Sequence, residues 1–325
     1  AVDAATTDAA RASARYDLAW ALYDAGQRDE AYTEFAAVAA EAAGTPLAAD
    51  AEFRLADQLI ERGRPVDAVR AYQAWLDKYP THPLRPRVVY NQGLAHEQAE
   101  QYDEAVAAYQ TVPAALDAAA LEDEGGLRDA AAYRTAYAEW RAGRYPEALA
   151  GFDAYDRAWP QGTYLADSMF YRGQVYSRQG DWPQAETAFR ALLQRYPRSN
   201  LANSGQFNLG VALQNQAKYQ AAAEAYEPLT VARAGTDAAL RALALLQRGQ
   251  CLFMAARYEQ ATTVLDAALA TNDAAVMPGA RYYLGRTWQQ RNDADRARGY
   301  YQQVVDEHPG SEYADRAAAA LGELP

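Results

Sequence analysis

The chain has 325 residues, half of them hydrophobic, a net charge of −12 and one cysteine. The acidic balance argues against nucleic acid as a partner, because nucleic-acid binders present a basic face. No stretch of the sequence approaches the ~20 continuous apolar residues of a membrane span, so we expect no membrane insertion by this chain. Cys251 has no second cysteine to pair with, and we expect it to be a small buried residue of a helix.

A unit of two helical patterns joined by a short turn recurs along the chain. In residues 166–197, Gly173 lies on the apolar face of the first pattern and Phe189 on that of the second. Because Gly173 has no side chain, the two helices can approach closely while Phe189 fills the space beside it. One such hairpin cannot bury its apolar side alone, so it needs neighbouring hairpins.

Each unit has an anchor alanine just after its turn, a small residue twelve positions earlier and a bulky residue four positions later. Successive anchors are 37, 37, 43, 37, 37, 39 and 36 residues apart. Agreement of all eight units at both offsets indicates an internal repeat. The anchors are Ala31, Ala68, Ala105, Ala148, Ala185, Ala222, Ala261 and Ala297.

This pattern resembles the tetratricopeptide repeat (TPR) family, which places small residues at helix crossings and aromatic residues beside them. The resemblance covers residues 13–309 and implies an all-α fold. The expected architecture is a right-handed α-solenoid of about eight TPR-like helical hairpins, with residues 310–325 as a C-terminal capping helix. Residues 1–12 are expected to form a frayed N-terminal segment.

Two places depart from the regular spacing. The 43-residue period makes room for the acidic stretch at residues 121–126, predicted to be an exposed loop or the end of a longer second helix. A hinge or a docking loop is the alternative, so a break near residues 113–127 is possible. Further along, a turn at Gly235, Thr236 and Asp237 replaces the usual proline stop.

Prolines and serines are predicted to mark the ends of the helices in the hairpins. Pro146 and Pro183 are predicted to lie in the first turn of a helix, where the missing N–H costs nothing. Ser199 and Ser311 are predicted to cap the helices that follow them. The prolines twelve residues after an anchor are predicted to end second helices, and these are Pro80, Pro160, Pro197 and Pro309.

The sequence contains none of the common catalytic or metal-binding patterns. The three histidines, His82, His96 and His308, form no His-x-x-x-His pair, and there is no nucleophile elbow or phosphate-binding loop. One cysteine without a histidine pair excludes zinc of the usual ligand types. We therefore expect no enzyme and no cofactor.

The family resemblance implies that the first helices of successive hairpins line a concave groove. Positions three before, two before and one after the small residue would point into it. Aromatic residues there either pack in the core or bind a protein or peptide partner, since Tyr and Trp combine apolar area with a polar tip. The same positions in the outer hairpins hold Tyr16, Trp20, Phe53, Arg54, Asp57, Tyr282, Tyr283 and Arg286. The partner-binding candidates are Tyr90, Asn91, Tyr133, Arg134, Tyr137, Trp140, Phe170, Tyr171, Gln174, Phe207 and Asn208.

Some family members clamp the terminal carboxylate of a partner peptide with five Lys, Asn and Arg side chains. Asn91 and Arg134 match two of these positions, but Phe53, Asp57 and Ala130 occupy the other three. Because Asp57 would repel a carboxylate, we expect recognition of an internal segment or a folded partner instead.

Two connections resemble those of bacterial envelope members of the family, namely the Tol-Pal-associated cell-division coordinator and the outer-membrane β-barrel assembly lipoprotein. They are Tyr196-Pro197-Arg198-Ser199 and His308-Pro309-Gly310-Ser311. The resemblance implies a non-catalytic periplasmic scaffold or adaptor, a subunit of a larger envelope complex. The alternative is the TPR ligand-binding module of a larger cytoplasmic regulatory or motor-associated protein. A secretion signal encoded directly before Ala1 would exclude that alternative.

Overall fold

The computed structural model describes residues 8–118, 126–231 and 237–325. These residues form seventeen α-helices and contain no strand, which confirms the predicted all-α fold. The helices are α1 (Asp8–Asp24), α2 (Arg28–Glu41), α3 (Pro46–Glu61), α4 (Pro65–Lys78), α5 (Arg85–Gln98), α6 (Tyr102–Ala118), α7 (Leu127–Arg141), α8 (Tyr145–Ala158), α9 (Leu165–Gln179), α10 (Trp182–Arg195), α11 (Ala202–Asn215), α12 (Tyr219–Thr230), α13 (Ala238–Met254), α14 (Tyr258–Leu269), α15 (Met277–Gln290), α16 (Ala294–Glu307) and α17 (Ala314–Glu323).

Consecutive helices pair as hairpins, from α1 with α2 to α15 with α16, and α17 packs on α16. The contacts between residues divide the chain into two compact units, Ala1–Ser168 (unit 1) and Met169–Pro325 (unit 2). Most contacts of each helix are with its neighbours along the chain, as in other helical repeats.

The small residue of each glycine-containing hairpin packs against the bulky residue of its second helix. A Cβ atom placed on Gly173 would lie 2.5 Å from Cε1 of Phe189. At contacts this short the neighbouring ring or helix must shift to admit a larger side chain, which confirms the close packing predicted for these positions. The equivalent pairs are Gly93 with Tyr109, Gly210 with Tyr226, Gly249 with Leu265 and Gly285 with Tyr301.

Every hairpin turn contains one residue in the left-handed backbone region, five positions before the anchor alanine. Glycine adopts this conformation without strain, whereas in other residues the Cβ atom comes too close to the following carbonyl oxygen. Four turns use glycine, at Gly26, Gly63, Gly143 and Gly180, and four use Glu100, Ala217, Ala256 and Asn292.

The helix ends agree with the proline pattern. Helices α4, α8, α10 and α16 each end two residues before one of the prolines predicted to stop them, and Pro146 and Pro183 lie in first turns. The capping predicted for Ser199 and Ser311 is wrong. Helix α11 begins after Leu201, and the Ser199 hydroxyl accepts from the N–H of Leu201, before the helix starts. Likewise, α17 begins three residues after Ser311.

Two sequence expectations fall partly outside the described residues. Helix α6 continues through Pro113 to Ala118, and the acidic stretch at residues 121–125 lies beyond the described part. Gly235 and Thr236 also lie outside it. Asp237 caps α13, since its carboxylate accepts from the backbone N–H groups of Ala239 and Leu240.

Candidate partner-binding site

A half-buried hydrogen-bond network in unit 1 is centred on Asp57 of α3. Oδ1 of Asp57 accepts from the Tyr72 hydroxyl at 2.5 Å and from Nδ2 of Asn91 at 2.8 Å. Oδ2 pairs with Nη1 of Arg54 at 3.3 Å. Burial raises the pKa of Asp57 although all three partners favour its ionised form. The network therefore fixes three of the predicted groove positions against one another.

A second network in unit 1 surrounds Glu97, which is only 9% exposed. Oε1 of Glu97 accepts from Nη1 of Arg134 at 3.0 Å, and Oε2 accepts from the Tyr109 hydroxyl at 3.1 Å. Asn91 and Arg134, the two residues that match a carboxylate clamp, are thus both bound to carboxylates of the chain itself. Both side chains therefore already have partners within the chain.

The aromatic candidates of unit 1 differ in exposure. Tyr133 is buried and stacks on Tyr164, whereas Tyr137 and Trp140 are half-buried and pack against each other with ring centroids 5.4 Å apart. Tyr90 is half-buried, and its ring centroid lies 5.6 Å from that of Tyr109. Tyr133 is therefore a core residue, and the other three retain surface that a partner can contact.

The candidates in unit 2 lie on α9 and α11. Phe170 is 9% exposed and packs against Phe189, while Tyr171 and Gln174 are half-buried. Phe207 is half-buried beside Tyr226. Asn208 donates from Nδ2 to the Ser204 carbonyl within its own helix.

A cavity of about 250 Å³ opens beside the Asp57 network, between α1, α3 and α5. Trp20 and Tyr23 supply aromatic walls, and the Tyr23 hydroxyl donates to Glu61 at the rim. Gln58 also lines the cavity and is 2% exposed. Neither Nε2 nor Oε1 of its amide has a hydrogen-bond partner among the described residues. Buried polar groups are normally paired, so the unpaired amide distinguishes this cavity from the rest of the core.

The sequence reasoning missed several residues of this site, among them Tyr23, Ile60, Glu61, Glu97 and Gln98. They lie four or five positions after the small residue of their helix. Residues at this spacing share a helix face with the position one after the small residue, one turn further along. Extending the predicted stripe by a turn would have included them.

The described residues lack both a metal-binding cluster and a membrane-spanning helix. They contain no group of three or more His, Cys, Asp or Glu side chains that could hold a metal ion. Within the same residues, no helix combines the length and the apolar character that crossing a bilayer requires.

Helical hairpins repeated along the whole described chain define a helical-repeat protein. Family models described as tetratricopeptide repeat match residues 16–83 and 90–163, and residues 167–199 and 280–311, which together exceed half of the chain. The chain therefore belongs to the tetratricopeptide repeat family. Proteins of this family generally mediate protein–protein interaction, and the repeat is generally a non-catalytic module. No curated protein matches the sequence.

Several solved structures share the fold. The C-terminal part of a TPR repeat-containing protein from Cytophaga hutchinsonii superposes with a TM-score of 0.63 at 14% identity, covering 82% of this chain and 98% of that one. A tetratricopeptide repeat protein from Parabacteroides merdae gives 0.50 at 16% identity, covering 84% and 97%. The apo form of RapI gives 0.58 at 13% identity, covering 85% and 81%. At these identities the likeness is one of fold alone.

Proposed function

We propose that this chain is a scaffold or adaptor that binds a segment of a partner protein on the first helices of unit 1, at the cavity beside Asp57. The observation that carries the proposal is the unpaired amide of Gln58 within an aromatic-walled cavity. A peptide group or a side-chain carboxamide offers the donor and the acceptor that this amide lacks. Trp20 and Tyr23 supply the apolar contact that interface anchors use.

The partner segment would extend from the cavity along the neighbouring half-buried residues. Tyr90, Asn91, Arg134, Tyr137 and Trp140 follow on α5 and α7. The carboxylates of Asp57 and Glu97 are already paired, so this surface presents mainly aromatic and amide groups. It suits an internal peptide segment better than a charged chain end.

We also propose that the partner belongs to a bacterial cell-envelope assembly and that the chain works in the periplasm. The support is the resemblance of the two proline-serine connections at residues 196–199 and 308–311. Both lie at the ends of segments matched by a single family model, 167–199 and 280–311, so these two repeats are of one kind. A cytoplasmic regulatory or motor-associated protein that contains this chain is the second candidate. Reading the coding sequence upstream of Ala1 tests the compartment, since a secretion signal there supports the periplasm.

Site-specific photo-crosslinking tests the partner site. A benzoylphenylalanine at Gln98, an exposed residue of the cavity rim, should crosslink a protein from the cells that make the chain. The same probe at Gln110, an exposed residue of the second helix α6, is the matched control and should not crosslink that protein.

The captured protein must then be purified and titrated against variants of the cavity. Tyr23→Ala and Gln98→Arg should weaken its binding, because the first removes an aromatic wall and the second fills the rim. Gln110→Arg should leave binding unchanged. Equal binding by all three variants would move the interface away from this cavity.

A further inference from the structure

A second cavity, of about 400 Å³, lies in unit 2 between α15 and the terminal helix α17. Arg286 and Gln289 line it from α15, and Arg316 and Glu323 line it from α17. It shares no residue with the cavity of unit 1, so its role does not depend on the function proposed above.

The two arginines of this cavity have no carboxylate partner. Among the described residues, neither Arg286 nor Arg316 forms an ion pair, although the chain carries a net charge of −12. Arg286 is nevertheless held in place. Its Nη1 donates to the Tyr282 hydroxyl at 3.1 Å, and its guanidinium lies 5.4 Å from the ring centroid of Phe253. A half-buried cation that is oriented but unpaired is a binding group for an anion.

The third hairpin of unit 1 has a carboxylate at the position where this cavity has an amide. Glu97 and Gln289 occupy the same position, four residues after the small glycine, and each accepts from the tyrosine of its second helix. In unit 1 the remaining oxygen of Glu97 pairs with Arg134. In unit 2 the residue is an uncharged glutamine, so the chain supplies no counterion at this position.

The free polar groups of the cavity are mainly donors. Oε1 of Gln289 already accepts from the Tyr301 hydroxyl at 2.8 Å, which leaves Nε2 as a donor. Guanidinium groups have donors only, and an ionised carboxylate has acceptors only. Glu323 also lines the cavity and offsets one of the two positive charges, so the local charge is +1. This balance matches a singly charged carboxylate better than a phosphate, whose charge is about −2.

We propose that this cavity binds the carboxylate of an Asp or Glu side chain from a partner protein, held between Arg286 and Arg316 with Gln289 as a further donor. The planar guanidinium of Arg286 presents parallel N–H groups that fit a carboxylate, and its aromatic support sets their direction. Unit 2 would then contribute an acid-recognising contact.

Binding of an N-acetylated, C-amidated hexaglutamate peptide, followed by fluorescence anisotropy in about 0.15 M salt, tests the proposal. The full chain should bind this peptide and not the equivalent hexaglutamine. Arg286→Gln should weaken binding about tenfold or more, as expected for loss of a charged hydrogen bond. Gln289→Glu should weaken it to a similar extent, because the new carboxylate supplies the missing counterion while both arginines remain.

Arg257→Gln is the matched control, since Arg257 is an exposed arginine between α13 and α14 that forms no ion pair with the described residues. It should bind hexaglutamate as the unmodified chain does. The circular dichroism of each variant is compared first, and Gln289→Glu keeps the test valid should Arg286→Gln fail to fold. The proposal is overturned if hexaglutamate does not bind or if all variants bind alike. The proposal would also be overturned if hexaglutamine with a free C-terminus bound more tightly than the capped hexaglutamate. Displacement of hexaglutamate by equimolar inorganic phosphate would overturn it as well.

Discussion

Tyr133 and Tyr164 stack face to face, with ring centroids 4.6 Å apart and ring planes 2° from parallel. Tyr133 projects from α7, and Tyr164 belongs to the segment that joins α8 to α9. Tyr133 also packs against Phe152 and Tyr155 and is 4% exposed. The contact therefore ties a connection between hairpins to the core of unit 1.

Tyr133→Ala should destabilise unit 1 without acting through partner binding. Removing a buried aromatic side chain costs about 3–5 kcal/mol of unfolding free energy, because the cavity left behind collapses only in part. Denaturant unfolding of the full chain measures this loss. Tyr137→Ala, which removes a half-buried ring four residues later on the same helix, is the control and should cost clearly less. Equal losses would show that Tyr133 has no special place in the core.

Gly173→Ala should lower the free energy of unfolding, although alanine is a better helix former than glycine. The added Cβ would lie 2.5 Å from Phe189, and such overpacking typically costs about 1–3 kcal/mol. The matched control is Gly299→Ala in α16, where a Cβ would meet nothing within 4 Å. That change should instead stabilise the chain by about 0.5–1 kcal/mol, since Gly is a poor helix former. If both changes had the same sign, the close approach of the helices would be disproved. Thermal unfolding of the two variants measures both effects.

The hairpins could be predicted from the sequence because the same spacing of small and bulky residues occurs in all eight units. A small residue at a fixed distance from a bulky one implies a close crossing, and Gly173 with Phe189 shows it. The site was harder to predict. Tyr133 and Tyr137 lie on adjacent turns of one helix, yet the first is buried because Tyr164, from a connection with no periodic pattern, covers it. Spacing along a helix does not reveal what a connection will cover.

The pairing of Arg134 was equally hidden. Its partner Glu97 comes from the preceding hairpin, 37 residues away. Nothing in the spacing within one hairpin predicts which side chains meet across two. For the same reason, Asp57 in the sequence argued against a carboxylate clamp, but the sequence did not predict the hydrogen-bond networks that Asp57 and Glu97 form in the structure.

The stability of unit 2 should depend on the ionisation of Glu186. Burial acts to raise the pKa of this carboxyl, but hydrogen bonds from Lys218, Arg190 and Gln216 outweigh it and lower the pKa to about 2. Because the folded-state pKa lies below the unfolded value of 4.5, the ionised group stabilises the fold above about pH 4.5. That contribution is lost as the pH falls toward 2.

Glu186→Gln should therefore lower the free energy of unfolding at pH 7 and have little effect near pH 2. Urea unfolding of both proteins at several pH values gives the difference directly. Glu147→Gln, at an exposed position of α8, is the control and should show no such dependence. A constant difference between Glu186→Gln and the parent chain at every pH would contradict the assignment.

Cys251 should be unreactive in the folded chain. It is fully buried in α13, as the sequence led us to expect, and burial raises the pKa of its thiol to about 12. The thiolate is the reactive form, so at pH 8 almost none is present. Ellman's reagent should label the native chain very slowly and the chain in denaturant rapidly. Rapid labelling of the native chain would place Cys251 at an accessible site.

The turn residue Ala256 offers a way to stabilise the protein. Its φ of 57° lies in the left-handed region, where a non-glycine residue costs roughly 1–2 kcal/mol. Ala256 is exposed, so its methyl group contributes little packing. Ala256→Gly relieves this strain, and the greater freedom of glycine in the unfolded chain offsets only about 0.4–1 kcal/mol of the gain. We expect a net increase of about 0.5–1 kcal/mol in the free energy of unfolding.

Two control variants separate turn strain from a general effect of glycine. Gly180→Ala, at the same turn position with φ of 74°, should destabilise by roughly 1 kcal/mol. Ala318→Gly, the same chemical change at an exposed position inside α17, should also destabilise, by about 1 kcal/mol, because glycine weakens a helix. Only Ala256→Gly should raise the midpoint of thermal unfolding. If it lowers the midpoint as Ala318→Gly does, the left-handed turn is not a source of strain, and the four turns without glycine cost the fold nothing.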